Sequence, residues 1–439
     1  MLEPLYTTDE ARRAEEGHDV GELMERAGAA VAREVRERFP HARRVAVVCG
    51  GGSNGGDGRI AARILREQGV DAVETTAVEQ ADVVVDALFG TGFHGVPRAE
   101  AAATIERINA AGAPVVAVDV ASGVDASTGE VAGPAVRATL TVTFHGRKVG
   151  LAVAPGLFHA GEVTVADIGL APLETAHRLV TPAILSVVPR KRPEDDKYTA
   201  GSVLVVGGAP GTTGAVCLAA EAAFRADAGY VAVAVPEASL PVVEARLLEP
   251  VKLAWERAVE AAGRAQAIAI GPGLGRDDAA RRVRDELLAA GEHALVLDAD
   301  ALHELEPGPW GPRAVLTPHA GELARLVGES SEWVRSHRLE AAGRVADRFG
   351  CICLLKGADT VVASPGEGAL VVLADAPGLA TAGTGDVLTG VVAAFLAKGV
   401  EPRLAAAAAA MAHALAARSL PQRGLVAGDL LAALPSALS

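Results

Sequence analysis

Aromatic residues make up only 3% of this 439-residue chain, and it has just four cysteines. So few aromatics argue against an aromatic-rich β-sandwich, and four cysteines cannot staple a chain of this length into a disulfide framework. Cys351 and Cys353, one residue apart on an apolar run, place both thiols on one face of a strand rather than in a metal knuckle. A basic stripe is also missing. The formal charge is −14 and is spread along the chain, so a nucleic acid is not an expected partner. The apolar stretches are broken well short of a membrane span, and "MLEPLYTTDEARRAEEGHD" has no signal-peptide core. The Ala-rich "LAAAAAAMAHALAARSL" carries a His and an Arg, which reads as a buried helix. A soluble, cytoplasmic protein with no membrane partner is expected.

Half of the residues are apolar, with Ala, Val, Leu and Gly dominant, and the length favours two or three domains, two being the first expectation. Residues 9–38 carry helical periodicity, with Leu23, Ala27, Ala30, Val31 and Val35 on one stripe. Short Val-rich runs follow, "RVAVVCG", "ADVVVDALFG", "PVVAVDV", "ATLTVTF" and "GEVTVAD", alternating with helix-like segments. Near-continuous apolar runs alternating with helices mark a parallel sheet covered on both faces, so the fold class is α/β. The pattern lapses after "GEVTVADIGL" into a Pro-rich, charged stretch at 189–197 and resumes at "SVLVVGG". This predicts a doubly wound first domain over 1–188 and a larger α/β domain over 189–439.

In the first domain "CGGGSNGGDG" follows a strand and opens a helix. Glycines there let backbone amides approach a ligand, and Ser53, Asn54 and Asp57 add polar groups at the carboxyl end of a strand. Two further strand ends carry Asp86, with the Gly-rich "LFGTGFHG" behind it, and Asp119, with Ser122 close by. Either aspartate alone reads as a cap or turn residue; three such strand ends together point to one crevice.

The set "LMERAG", "GGGSNGGDG", "DALFGTGFHG" and "DVASGVDASTG" resembles the epimerase domain of the NAD(P)H-hydrate repair enzymes, the YjeF N-terminal family, and implies a Rossmann-like fold. The resemblance implies a potassium ion held by Asn54, Asp86 and Ser122, whose oxygen donors suit a hard cation. It also implies a substrate site built from Ser53, Asn54, Gly55, Gly56 and Asp57 and from Gly90, Thr91, Gly92, Phe93, His94, Gly95 and Val96. Asp119 is its catalytic carboxylate and also touches substrate. The chain departs from the family where Ser53 replaces an Asn and Ala121 replaces a Pro, a change that frees the backbone φ beside Ser122.

The second domain has no Walker lysine in "GAPGTTGAV", so a nucleotide has to bind another way. "GTGD", heading an apolar helix, offers free amides to a phosphoryl oxygen with the Asp386 carboxylate beside them. Asp386 alone also suits an ordinary first-turn position. Lys356 ends the run "CICLL" before a glycine turn, where an ammonium can neutralise a phosphate. His319 alone reads as a capping or packed histidine.

With "GPGLG", "TPHAGE" and "AGTGDVLTG", this half resembles the NAD(P)H-hydrate dehydratase or YjeF C-terminal family, which has a ribokinase-like fold. The resemblance implies that Ala215, Gly273, His319 and Asp386 contact the hydrate and that Asp386 is catalytic. Lys356, Gly357, Ala358, Asp359, Thr360 and Gly385 are the implied adenine-nucleotide residues. Asp227 replaces a usual Gly in "RADAGYV", where a local loop change is expected. The implied function is repair of hydrated NAD(P)H: interconversion of its R and S forms and dehydration of the S form with ADP, or ATP, and Mg2+, giving AMP and phosphate from ADP. NAD(P)H hydrates and adenine nucleotide are the expected partners, and a homo-oligomer the expected assembly. The rival reading is a ribokinase-like small-molecule kinase with a non-catalytic, metabolite-binding first domain.

Overall fold

The computed structural model describes all 439 residues, and the chain forms two compact units. One comprises Pro4–Leu179 with Arg335–His337; the other comprises Met1–Glu3, Val180–Val334 and Arg338–Ser439. The division falls between Leu179 and Val180, upstream of the expected 188/189 boundary. Val180 and Ile184 are buried in the core of the C-terminal unit. Burial rather than the charged stretch assigns them. Two short strands, β1 (Leu2–Leu5) and β8 (His177–Val180), each straddle the division in sequence.

The N-terminal helical stretch is two helices, Thr8–Glu15 and Val20–Arg38. Thr7 and Glu10 form a capping box on the first, and Asp19 accepts from the Glu22 amide to start the second. Gly17, at φ +83°, makes the turn between them. The sheet behind them contains β2 (Arg44–Cys49), β3 (Asp71–Glu74), β4 (Val83–Ala87), β5 (Val115–Val118), β6 (Leu140–Phe144) and β7 (Glu162–Ala166), in the order β3-β2-β4-β5-β6-β7. Every pairing is parallel. Strands β4, β5 and β6 are buried along their whole length, as helices on both faces require. The order reverses between β2 and β4. Open parallel sheets bind ligands outside the carboxyl ends of the strands at such a reversal.

The C-terminal unit carries β9 (Ser202–Val206), β10 (Tyr230–Val235), β11 (Val251–Ala254), β12 (Ala267–Ile270), β13 (Ala294–Leu297), β14 (Ala314–Leu316), β15 (Ile352–Leu355), β16 (Asp359–Ala363) and β17 (Leu370–Leu373). They lie in the order β17-β16-β15-β14-β13-β12-β9-β10-β11, parallel from β15 to β11 and antiparallel from β15 to β17. Here the order reverses between β9 and β12. One face is covered by the helices Thr213–Arg225, Thr384–Ala397 and Pro402–Arg418. Thr384–Ala397 is apolar nearly all round because it is buried all round. At Gly390 an added Cβ would lie 2.1 Å from the Ala219 carbonyl oxygen, so glycine is what lets this helix approach Thr213–Arg225 so closely. Cys351 and Cys353 are free thiols buried in the opposite core. No helix is long and apolar enough to cross a membrane; the Ala-rich segment is the buried helix Pro402–Arg418.

At Asp227, where a loop change was expected, the backbone sits at φ +72°, in the left-handed region that glycine tolerates. Lys398 and Lys191 both pair with its carboxylate at 2.9 Å, and these contacts hold it there.

Candidate active sites at the two sheet reversals

In the N-terminal unit the chain leaves β2 through Gly50–Gly52 and turns at once into helix Ser53–Glu67. The turn is tight: a Cβ on Gly55 would lie 2.0 Å from the Gly50 carbonyl oxygen. Asn54 and Asp57 on this helix are both buried, and Asn54 lies against the loop that follows β4. Asn54 donates to the Phe89 carbonyl at 2.8 Å, and Gly90 packs directly on the Asn54 side chain. Phe89 and Phe93 stack with centroids 4.7 Å apart, and Thr8 donates to the Thr91 carbonyl. Gly90 and Phe93 thus adjoin the first loop, while Gly92, His94, Gly95 and Val96, like Ser53, are exposed.

Asp86, at the end of β4, is fully buried. It accepts from the Ser122 hydroxyl at 2.6 Å, the Ser122 amide at 2.9 Å and the Leu88 amide at 3.3 Å. Ser122 in turn accepts from the Phe89 amide at 2.9 Å, so its turn is fixed without the family's proline. Asn54 and Ser122 both bond to Phe89, which joins the three expected potassium ligands in one network. No cationic side chain pairs with Asp86, and burial pushes its carboxyl up to about 6 despite the hydrogen bonds from Ser122. A buried carboxylate without a countercharge, among amide, hydroxyl and carbonyl oxygens, fits a monovalent cation.

Asp119 follows β5 at φ +64°. Its carboxylate takes hydrogen bonds from Thr143 at 2.9 Å and from the Phe144 amide at 3.3 Å, and it is ion-paired with Lys148. Lys148 is 3% exposed and also donates to the Phe144 carbonyl at 2.8 Å and to Thr143 at 3.1 Å. Sequence reasoning passed over Lys148, although "FHGRKVG" puts it just past a strand end like the other site residues. Burial, then the charges of Asp119 and Glu15, push Asp57 up to about 8, against the pull of Lys148. The site therefore sets a carboxylate paired with a lysine near a second carboxyl, Asp57, that holds its proton at neutral pH.

In the C-terminal unit, Gly208 and Ala209 after β9 donate to the Pro272 and Gly273 carbonyls after β12 at 3.0 and 2.7 Å. Thr212 donates to the Gly273 carbonyl at 2.9 Å and accepts from the Ala215 amide, which brings Ala215 and Gly273 together at the reversal. Asp386 lies in the first turn of Thr384–Ala397, just after Gly383 at φ +91°. Lys356, from the end of β15, reaches this helix: a Cβ on Gly385 would lie 3.3 Å from its Nζ. Its ammonium pairs with Asp298 at 2.8 Å and lies 4.0 Å from Glu322. Burial, then Asp298, pushes Asp386 up to about 7, with Glu322 and Asp300 adding to it and Lys356 opposing. A carboxylate with that value is a base matched to neutral pH.

His319 caps helix Ala320–Val327, its Nδ1 accepting from the Gly321 and Glu322 amides at 3.0 and 3.2 Å. Burial and the nearby Lys356 lower its pKa against the opposing charge of Glu322, in keeping with the neutral ring that this cap requires. Its side chain is still 57% exposed, open to a ligand. Gly357 and Ala358 form the exposed turn after Lys356, and Thr360 is buried behind it, donating to the Gly357 carbonyl. Asp359 is different. Its carboxylate is 1% exposed and paired with Arg338 at 2.8 Å, so it holds the turn in place and is not presented to a ligand. Asp298 and Glu322 were not among the expected site residues, although Asp298 ends a strand in "LVLDAD" just as Asp86 and Asp119 end theirs.

A family model described as NAD(P)H-hydrate dehydratase matches residues 203–438, and one described as YjeF-related protein N-terminus matches residues 20–80 and 71–150. The bifunctional NAD(P)H-hydrate repair enzyme Nnr of Moorella thermoacetica is 39% identical, over 95% of this chain and 92% of its own. That of Escherichia coli is 34% identical, over 98% of this chain and 93% of its own. Among solved structures, the ADP/ATP-dependent NAD(P)H-hydrate dehydratase from Bacillus subtilis, co-crystallized with ATP/Mg2+, is 29% identical with a TM-score of 0.54, covering 58% of this chain and 96% of that one. With a dehydratase model spanning more than half of the sequence and relatives matched over nearly all of it, the chain belongs to the family of bifunctional NAD(P)H-hydrate repair enzymes.

Proposed function

We propose that the chain repairs hydrated NAD(P)H in two steps: the N-terminal unit interconverts the R and S forms, and the C-terminal unit dehydrates the S form with ADP. The dehydration reading is carried by one arrangement, the Asp386 carboxylate behind the amides of Gly383–Gly385 with the Lys356 ammonium against Gly385. Asp386 takes the proton of the ring hydroxyl as that oxygen attacks the terminal phosphorus of ADP and AMP departs. The amides hold the charge that develops on the phosphoryl oxygens, and Lys356 neutralises the phosphates. The phosphorylated oxygen then leaves as phosphate, and loss of a proton from the neighbouring ring carbon restores the dihydropyridine. Magnesium, when bound, offsets charge on the nucleotide phosphates.

In the N-terminal unit Asp119 transfers the proton of the hydroxyl on the hydrated ring, and Lys148, paired with that carboxylate, keeps it aimed. Asn54, Asp86 and Ser122 would hold a potassium ion, which would supply the countercharge that Asp86 lacks. Ser53–Asp57 and Gly90–Val96 contact the hydrate in this unit, and Ala215, Gly273 and His319 in the other, with Lys356, Gly357, Ala358, Thr360 and Gly385 on the nucleotide and Asp359 holding their turn in place. A homo-oligomer in the cytoplasm remains the expected setting. The test is a coupled assay on mixed hydrate epimers with magnesium and ADP or ATP, following dihydronicotinamide absorbance. Full recovery is expected only while both activities operate, recovery of the S fraction alone for Asp119→Ala, and slower conversion of the R fraction without potassium. Full-rate R conversion by Asp119→Ala refutes the epimerase assignment.

A further inference from the structure

Asp298 is 1% exposed at the end of β13, where a buried carboxylate needs partners. Its two oxygens go to different elements: Oδ1 takes the Lys356 ammonium from β15 at 2.8 Å, and Oδ2 takes the Thr389 hydroxyl from helix Thr384–Ala397 at 2.6 Å. Thr389 stands three residues after Asp386, on the same face of that helix. The backbone around Asp298 is equally constrained, since a Cβ on Gly271 after β12 would lie 1.7 Å from the Asp298 carbonyl oxygen. Asp298 therefore stands where the ends of β12, β13 and β15 meet the helix that begins with the anion-binding turn.

We propose that Asp298 is the positioning residue of the dehydration site, tying Lys356 to the helix of Asp386 so that the ammonium stays beside Gly385 and a fixed negative charge faces Asp386. This role rests on the reading of Asp386 as the base. The charged and titratable groups around that base are Asp298 and Asp300 after β13, Lys356 after β15 and Glu322 on Ala320–Val327. His413, on Pro402–Arg418, is buried against Thr384 and senses Lys356. Among these, Asp298 contributes the largest charge effect on Asp386, second only to burial, and Lys356 opposes it. Replacing Asp298 by its neutral isostere removes a negative charge and releases Lys356 to turn toward Asp386. Both changes favour ionised Asp386, so the active form persists to lower pH.

The experiment measures kcat and the KM for ADP across pH in the full chain for Asp298→Asn, Asp386→Asn, Thr389→Val and Thr389→Ser. Asp298→Asn is expected to move the acid limb of kcat down by about one pH unit and to raise the KM for ADP about tenfold. Thr389→Val keeps the charge, so its limb stays in place while the KM rises a few-fold, and Thr389→Ser restores it. A wild-type pH limb and KM in Asp298→Asn, alongside an inactive Asp386→Asn, overturns the positioning role. If Asp386→Asn still dehydrates, the base reading fails instead, and the KM of Asp298→Asn decides whether Lys356 is tethered. Should Asp298→Asn not fold, equal KM values in wild type, Thr389→Val and Thr389→Ser overturn the proposal.

Discussion

Lys148→Met tests the N-terminal site at its least exposed ion pair. The Lys148 and Asp119 side chains are 4% and 14% exposed, and the ammonium has two further oxygens, the Phe144 carbonyl at 2.8 Å and the Thr143 hydroxyl at 3.1 Å. Methionine fills most of the lysine stem but leaves the Asp119 carboxylate stranded. Removing one partner of a buried pair costs about 3–5 kcal/mol, and in a unit of this size each kcal/mol moves the melting temperature by about 2–4 °C, so the transition falls by roughly 6–20 °C. Neutralising both partners leaves no stranded charge, so Lys148→Met with Asp119→Asn regains at least half of that loss. Differential scanning calorimetry reads the transition, and in the wild type epimerisation remaining after heating identifies which transition belongs to this unit. Strictly additive effects in the double variant refute the pairing argument, because uncoupled residues add and a buried pair does not.

Asp386→Asn removes the base while keeping its shape, so dehydration falls by about 10²–10⁴-fold with epimerisation retained. With Asp386 pushed up to about 7, the wild-type dehydration rate falls as pH drops through that value, because protonation removes the base. An unimpaired rate in the variant contradicts the assignment. Asp57 behaves oppositely in stability: its folded value of about 8 exceeds the unfolded value of about 4, so the folded unit loses stability as pH rises between them. Asp57→Asn escapes that loss, so its melting-temperature advantage over wild type grows from pH 5 to pH 9; a constant difference counts against the burial argument. Gly385→Ala puts a Cβ 3.3 Å from the Lys356 ammonium, and crowding of about 1–3 kcal/mol raises the KM for ADP roughly 5- to 150-fold, measured by dehydration kinetics.

Much of the architecture was legible because buried parallel strands leave a plain trace. "VVVDA" and "SVLVV" are apolar on both faces, and both are buried throughout. Asp86, Asp119 and Asp386 stood out because a carboxylate at a strand end or helix start interrupts such runs. The break at Gly17 was harder to see, since its capping residues Thr7 and Asp19 look like ordinary polar positions in a helical stretch. The division at Val180 was masked because burial of Val180 and Ile184 depends on helices distant in sequence.

By itself the sequence determined two parallel-sheet units, their Gly-rich turns and the family to which those turns belong, because periodicity and turn chemistry are local properties. Tertiary structure decided which charges meet. Lys148 finds Asp119 across 29 residues, Thr389 finds Asp298 across 91, and Asp359 pairs with Arg338 instead of facing outward from the turn after Lys356. Each pairing is set by which strand ends and helices the fold brings together, and no local pattern encodes that arrangement.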